Sequence, residues 1–252
     1  MVEPLFMIKI LFTLLMLVYT SILDIKTREV EPRLWLYFFV PLFIIMVYQV
    51  MKGVIGLDEI KFQLLILALL ATMLGALYYT GMLGGGDVFA FLVIGVSHPE
   101  TGGILFKHPP FPLVLQTILF ASVFSGFLSL YFCIYNIALN RDKLKELAVK
   151  ERMLYCFTAI ALPIEKVIKR RFWYPLERPW EGRLLRYFKV EEDDVALIEK
   201  LEKWAIENNA MGRKVWVTYG SPFILYILIG YGLSILGVGN YILKTIIGLA
   251  IV

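Results

Sequence analysis

Uninterrupted apolar blocks close to twenty residues long constrain this chain more than any other feature of its sequence. The first runs from Leu5 to Leu23 and holds one charge, Lys9. A helix needs roughly 17–25 apolar residues to cross the ~30 Å of bilayer hydrocarbon, and in lipid only helices and closed barrels satisfy their own backbone. The blocks therefore predict spans over residues 5–23, 34–51, 60–80, 86–97, 111–139 and 219–238. The fourth is short and opens on glycines, and the fifth is long enough to tilt or to extend into water. An apolar tail, 241–252, carries Lys244 and reads as an extension of the last span. Composition agrees: 59% of the 252 residues are hydrophobic, against about 45–50% in soluble domains. The first block lacks a basic flank and a small-residue cleavage site, so it reads as a retained helix and not a signal peptide.

The expected fold is an all-α polytopic membrane protein with six transmembrane helices and a mainly helical cytoplasmic domain inserted before the last. Residues 1–139 hold helices one to five, 140–217 form the aqueous domain, and 218–252 hold helix six and the tail. An N-terminus outside puts Lys26, Arg28, Arg33 and every basic residue from Arg141 to Lys214 inside. Only Lys9, Lys52, Lys61, Lys107 and Lys244 are left outside, which the positive-inside rule favours. Within 140–217, the apolar patch Met153–Ile164 is too short to span and suits a core or interfacial segment. The run Lys166, Lys169, Arg170, Arg171 with Phe172, Trp173 and Tyr174 suits either an anionic membrane surface or a solvated helix face. Acids at Glu191–Asp194 precede Val195, Ile198, Leu201 and Ala205, which marks an amphipathic helix with its N-terminal dipole matched. Acidic and basic residues are too balanced there to indicate nucleic-acid binding.

Two acids sit where charge is expensive. Asp24 closes the first span, and Asp87 follows Gly84, Gly85 and Gly86 at the start of the fourth. Ionisable groups at span edges are functional candidates by default, and the topology brings both to the cytoplasmic side. Two carboxylates a few ångströms apart share a proton. One can then take a proton from water while the other polarises a peptide carbonyl, with no metal or cofactor. The glycines let backbone approach a neighbour and permit positive φ. Taken singly, Asp24 also reads as the first aqueous residue after a helix, paired with Lys26 or Arg28, and Asp87 as an N-cap. Cys133 and Cys156 lack a CxxC pattern and read as buried small hydrophobes. His98 and His108, ten residues apart in a Pro/Gly-rich loop, read as ordinary loop residues and not a metal site.

Gly84-Gly85-Gly86-Asp87 resembles the GxGD motif of membrane aspartyl proteases. Presenilin-type members carry their first aspartate in a Tyr-Asp pair within a span. Asp24 instead follows Leu23 and leads into a basic loop, which is similar to the prepilin and preflagellin branch. Six spans with a cytoplasmic insertion before the last resemble archaeal preflagellin peptidases most. The resemblance implies an aspartic-type endopeptidase of the cell membrane with Asp24 and Asp87 catalytic and Gly84–Gly86 in the active-site loop. It implies no cofactor, and as substrate an archaellin precursor whose short basic leader is cut on the cytoplasmic side. Glu29 and Glu31 are candidates to attract that leader. A peptidase for other type IV prepilin-like precursors fits the same residues. So does, in another class, an ion or proton transporter component using the same two aspartates. A non-catalytic scaffold docking partners through 140–217 is the third class; only it would survive loss of both acids.

Overall fold

The computed structural model describes residues 4–81, 83–100, 104–105, 111–188 and 192–250. Eleven helices and five strands follow one another among them. They are α1 Pro4–Thr27, α2 Pro32–Met51, α3 Leu57–Tyr79, α4 Gly85–Ser97, α5 Leu113–Leu139, α6 Arg141–Lys145, α7 Val149–Thr158, β1 Ile160–Pro163 and α8 Ile164–Val167. Then come β2 Trp173–Pro175, β3 Glu177–Arg178, β4 Arg183–Leu184, α9 Asp194–Glu207, β5 Lys214–Tyr219, α10 Phe223–Leu236 and α11 Val238–Ala250. The chain divides into two units. The first comprises residues 1–78, 83–125 and 222–252, and the second 79–82 and 126–221.

The first unit is helical and apolar inside and out. Met16 and Leu17 of α1, Trp35 and Leu42 of α2, Phe91 and Ile94 of α4, and Ile227 and Tyr231 of α10 form its core. Leu11, Leu15, Val18 and Ile22 of α1 and Leu65, Leu69 and Met73 of α3 face outward. A helix apolar all round belongs in lipid. Four helices, α1, α2, α3 and α5, are long and apolar enough to cross a membrane, or five spans if the bent pair α10–α11 makes one. Among the described residues this gives four or five candidate spans where six were expected. The block at 86–97 yields only the 13 residues of α4, about 20 Å long at 1.5 Å per residue and short of the hydrocarbon thickness. The tail continues the last apolar block as a bent second helix. Gly237 takes φ 82 as the left-handed cap of α10, and the chain turns by 66° into α11.

A buried polar cluster pins α1 to the end of α4 and to α10. Lys9, fully buried, donates to the Ser97 carbonyl at 3.0 Å and pairs with the Glu100 carboxylate. His98, also fully buried, shares hydrogen bonds through Nε2 with the hydroxyls of Thr13 at 2.9 Å and Tyr231 at 3.1 Å. It is therefore a packed core residue and not an ordinary loop residue; His108 lies outside the described residues. Removing one partner of a buried ion pair leaves a charge without its counter-charge. Lys9→Met is expected to lower stability by about 2–3 kcal/mol, somewhat less than the ~3–5 kcal/mol of a fully buried pair because Glu100 is partly exposed. Adding Glu100→Gln should restore most of it. Thermal unfolding of the purified protein checks this, and a Lys9→Met variant as stable as wild type would contradict it.

The second unit adds strands to the helices of the mainly helical domain that was expected. Its centre is an antiparallel sheet of order β1-β5-β2, with Ile160 opposite Val217 and Pro163 opposite Lys214 on one side of β5, and Trp173 opposite Tyr219 on the other. The six residues of β5 are rich in β-branched and aromatic types, and Val215, Trp216 and Val217 are buried. Pro163 and Pro175 fall on the two edge strands, where a missing donor is tolerated. The patch 153–164 supplies Tyr155, Ile160, Leu162 and Ile164 to the core, divided between α7, β1 and α8. α9 packs with Leu197, Leu201 and Ala205 buried, and Asp193 caps it, accepting from the Val195 and Ala196 N–H groups. Asn136 and Asn140 tie the end of α5 to the Ala159 and Ala161 carbonyls at 2.6 and 3.0 Å. Cys133 and Cys156 are free and half-buried, with their sulfurs 3.0 Å apart. Burial and the adjoining Cys133 push the Cys156 thiol up to about 11, so it stays protonated and behaves as a small apolar group.

Candidate active site

Asp24 lies in the last turn of α1 and is buried to 9% exposure. α1 ends where Arg28 takes φ 60, a left-handed cap that a non-glycine residue adopts at some cost. That turn lets Arg28 fold back, its guanidinium 3.9 Å from the Asp24 carboxylate, and it sends Val30 onto the bundle core. The pairing read from sequence is thus present, yet it does not put Asp24 in water.

The other contact of Asp24 comes from far along the chain. Asp24 Oδ2 accepts the Ile224 N–H at 3.3 Å. Ile224 is the second residue of α10, which begins after Pro222, so its N–H is one of the donors a helix N-terminus leaves without an internal partner. A carboxylate from another helix thus sits at the positive end of α10.

Asp87 is also at a helix N-terminus, its own. It is the third residue of α4, and its carboxylate accepts the Gly84 N–H at 3.2 Å. Asp87 therefore lies just inside the helix and is not its N-cap, a place taken by Gly84. None of Gly84, Gly85 and Gly86 has positive φ; in this turn that falls on Gly81, at φ 73. What Gly86 does provide is closeness. A Cβ there would lie 3.5 Å from Ile224 Cδ1, 3.8 Å from Val30 Cβ and 3.9 Å from Trp35 Cζ2. Trp35 in turn stacks on Phe89. Ile224 is thus the hinge of the site, with its N–H on Asp24 and its side chain against the residue before Asp87. The two aspartates are near enough for their charges to act on one another, and the Arg28 charge reaches Asp87 as well.

The structure brings together Asp24, Asp87 and Gly84–Gly86. It adds Arg28, Val30, Trp35 and Ile224. Of these only Arg28 was marked by sequence, as a surface partner. Ile224 acts through its backbone, and its one sequence signal is Ser221-Pro222 ahead of an apolar run, a helix start. Among the described residues no group of three or more His, Cys, Asp or Glu could hold a metal ion.

Fold and site together define a multi-pass helical membrane protein with a carboxylate pair at converging helix N-termini. Residues 11–134 match the model of the Type IV leader peptidase family, and residues 151–239 match that of the Archaeal Peptidase A24 C-terminus Type II. The two matches follow one another through most of the chain, which belongs to the type IV leader peptidase family and is a peptidase of the A24 kind. Comparison with curated proteins found no match.

Proposed function

We propose that the chain is an aspartic-type membrane endopeptidase that removes the basic leader from prepilin-like precursors, with preflagellin as its substrate and Asp24 and Asp87 as its catalytic pair. The observation that carries the reading is that two acids 63 positions apart in sequence meet around Ile224, whose N–H reaches Asp24 and whose side chain packs at Gly86 beside Asp87, with the two charges in mutual range. One shared negative charge is stabilised by the N-termini of α4 and α10 and by Arg28. The ionised carboxylate takes a proton from water as the oxygen attacks the scissile carbonyl, and the protonated partner hydrogen-bonds the developing oxyanion. The proton then passes to the leaving amine, the C–N bond breaks, and the pair returns to one shared proton.

The substrate side rests on family and charge. Leader peptidases act on prepilin-like precursors, and the archaeal C-terminal match favours an archaellin precursor among them. Glu29 and Glu31 are exposed on the connection that follows Asp24, where they offer negative charge to a basic leader. With the N-terminus outside, this connection faces the cytoplasm, where such leaders lie.

The test is cleavage of a leader-bearing archaellin precursor in liposomes holding the purified chain, with both products identified by mass spectrometry. A single cut between leader and hydrophobic segment is the expected result. No cut in any leader-bearing precursor, together with proton uptake by the liposomes, would overturn the peptidase reading in favour of transport.

A further inference from the structure

The second unit holds a cavity of about 200 Å³ that the peptidase chemistry does not use. Its walls include Tyr131, Phe132 and Tyr135 of α5, Trp173 and Tyr219 of the sheet, and the two cations Lys166 and Arg170. Phe172, at φ 62, turns the chain sharply before β2. Trp173 then packs between Phe132 and Tyr219, at ring distances of 6.5 and 5.3 Å. Arg170 lies 5.5 Å over the Trp173 ring, and neither it nor Lys166 has an acidic partner among the described residues. From Ile164 to Leu176 the only acid is Glu165, against Lys166, Lys169, Arg170 and Arg171.

The other wall is a membrane helix. At 27 residues, α5 is about 40 Å long, some 10 Å more than the hydrocarbon needs, so one end stands in the headgroup layer. The end joined to the charged α6 carries Tyr131 and Tyr135, the aromatic type that collects at that depth. On its outer face Phe127, Tyr131 and Ile134 are 56%, 54% and 69% exposed and form an apolar strip leading to the cavity. Two cations without an acidic partner among the described residues, a ring of aromatics and an adjoining apolar strip make a site for a molecule anionic at one end and aliphatic at the other.

We propose that this cavity binds one anionic phospholipid, its phosphate held by Lys166 and Arg170 and its first acyl carbons lying along Tyr131 and Ile134. Two cations near an anionic headgroup each contribute about 5.5-fold, so the pair is worth about 30-fold in affinity.

The probe is dioleoyl phosphatidylglycerol titrated against dioleoyl phosphatidylcholine on the full chain in neutral detergent, with occupancy read by native mass spectrometry. Wild type should keep one phosphatidylglycerol with about 30-fold preference, and a Lys166→Gln/Arg170→Gln variant should lose that preference. Lys200→Gln/Lys203→Gln, an equal charge loss on the exposed face of α9, should keep it, and soluble glycerol phosphate at equal concentration should not displace the lipid. Equal binding of the two lipids would overturn the proposal, as would an unchanged Lys166/Arg170 variant or an equal loss in the α9 control. Displacement by glycerol phosphate would also overturn it, since the site would then be one for soluble phosphate esters.

Discussion

Asp24→Asn and Asp87→Asn are each expected to lower precursor cleavage about 1,000-fold or more while leaving the protein folded. The size follows from the chemistry. Acid–base catalysis by a positioned side chain contributes typically 10²–10⁴-fold, and in the proposed mechanism one carboxylate takes the proton from water while the other holds the oxyanion. Folding should survive because asparagine keeps the oxygen that each site uses structurally. At position 24 it can still accept the Ile224 N–H, and at 87 the Gly84 N–H. Thermal unfolding beside a cleavage assay separates the two effects. A variant that unfolds early would leave the lost activity unassigned to catalysis, so unfolding within a few degrees of wild type is part of the expected result.

Gly230→Ala should damage stability and activity together, through packing and not chemistry. A Cβ at Gly230 would lie 2.6 Å from the Thr117 carbonyl oxygen and 3.0 Å from the Ala121 nitrogen. Both are backbone atoms of α5, which cannot rotate away as a side chain would. α10 must therefore move, at about 1–3 kcal/mol for overpacking of this kind. Ile224 moves with it, six residues earlier on the same helix. The Ile224–Asp24 contact is already long at 3.3 Å, and a misplacement near 1 Å can reduce a rate about 100-fold. Gly232 is the control, since nothing lies within 4 Å of its Cβ position. Gly232→Ala should be neutral or stabilise by about 0.5–1 kcal/mol, by removing backbone freedom from a helix interior. Paired unfolding and cleavage measurements check both, and equal behaviour of the two variants would contradict this packing.

The membrane character and the two acids were legible in sequence because each rests on local pattern. Apolar run length marks α1, α2, α3 and α5, and Gly84–Gly86 with Asp87 is a contiguous motif. What was not legible depends on residues meeting across long separations. Lys9 and His98 looked like a lone charge in an apolar block and a loop residue, since Lys9 meets Ser97 and Glu100, and His98 meets Thr13 and Tyr231, only across 85 to 133 positions of chain. Cys133 and Cys156 meet only because α7 folds back along α5. Two misses had usable local signals. Lys214–Tyr219 holds Val215, Trp216, Val217 and Thr218 in a row, a strand pattern at the end of a segment read as helical. Gly237-Val238-Gly239 punctuates the last apolar block at the point where α10 gives way to α11. The glycines before Asp87 were read as sites of positive φ, but two of them begin a helix and so take helical angles. At Gly86 the small side chain matters for contact with Ile224, Val30 and Trp35.

The most direct test of the carboxylate pair is a double-mutant cycle on cleavage under single-turnover conditions, with wild type, Asp24→Asn, Asp87→Asn and the double variant in the same membranes. Two groups sharing one proton act as a unit, and residues that do so are strongly non-additive. The double variant is therefore expected to be no slower than either single variant, within about threefold. Losses that multiply, or an Asp87→Asn enzyme that still cuts at a substantial rate, would show that the two acids do not form one catalytic pair.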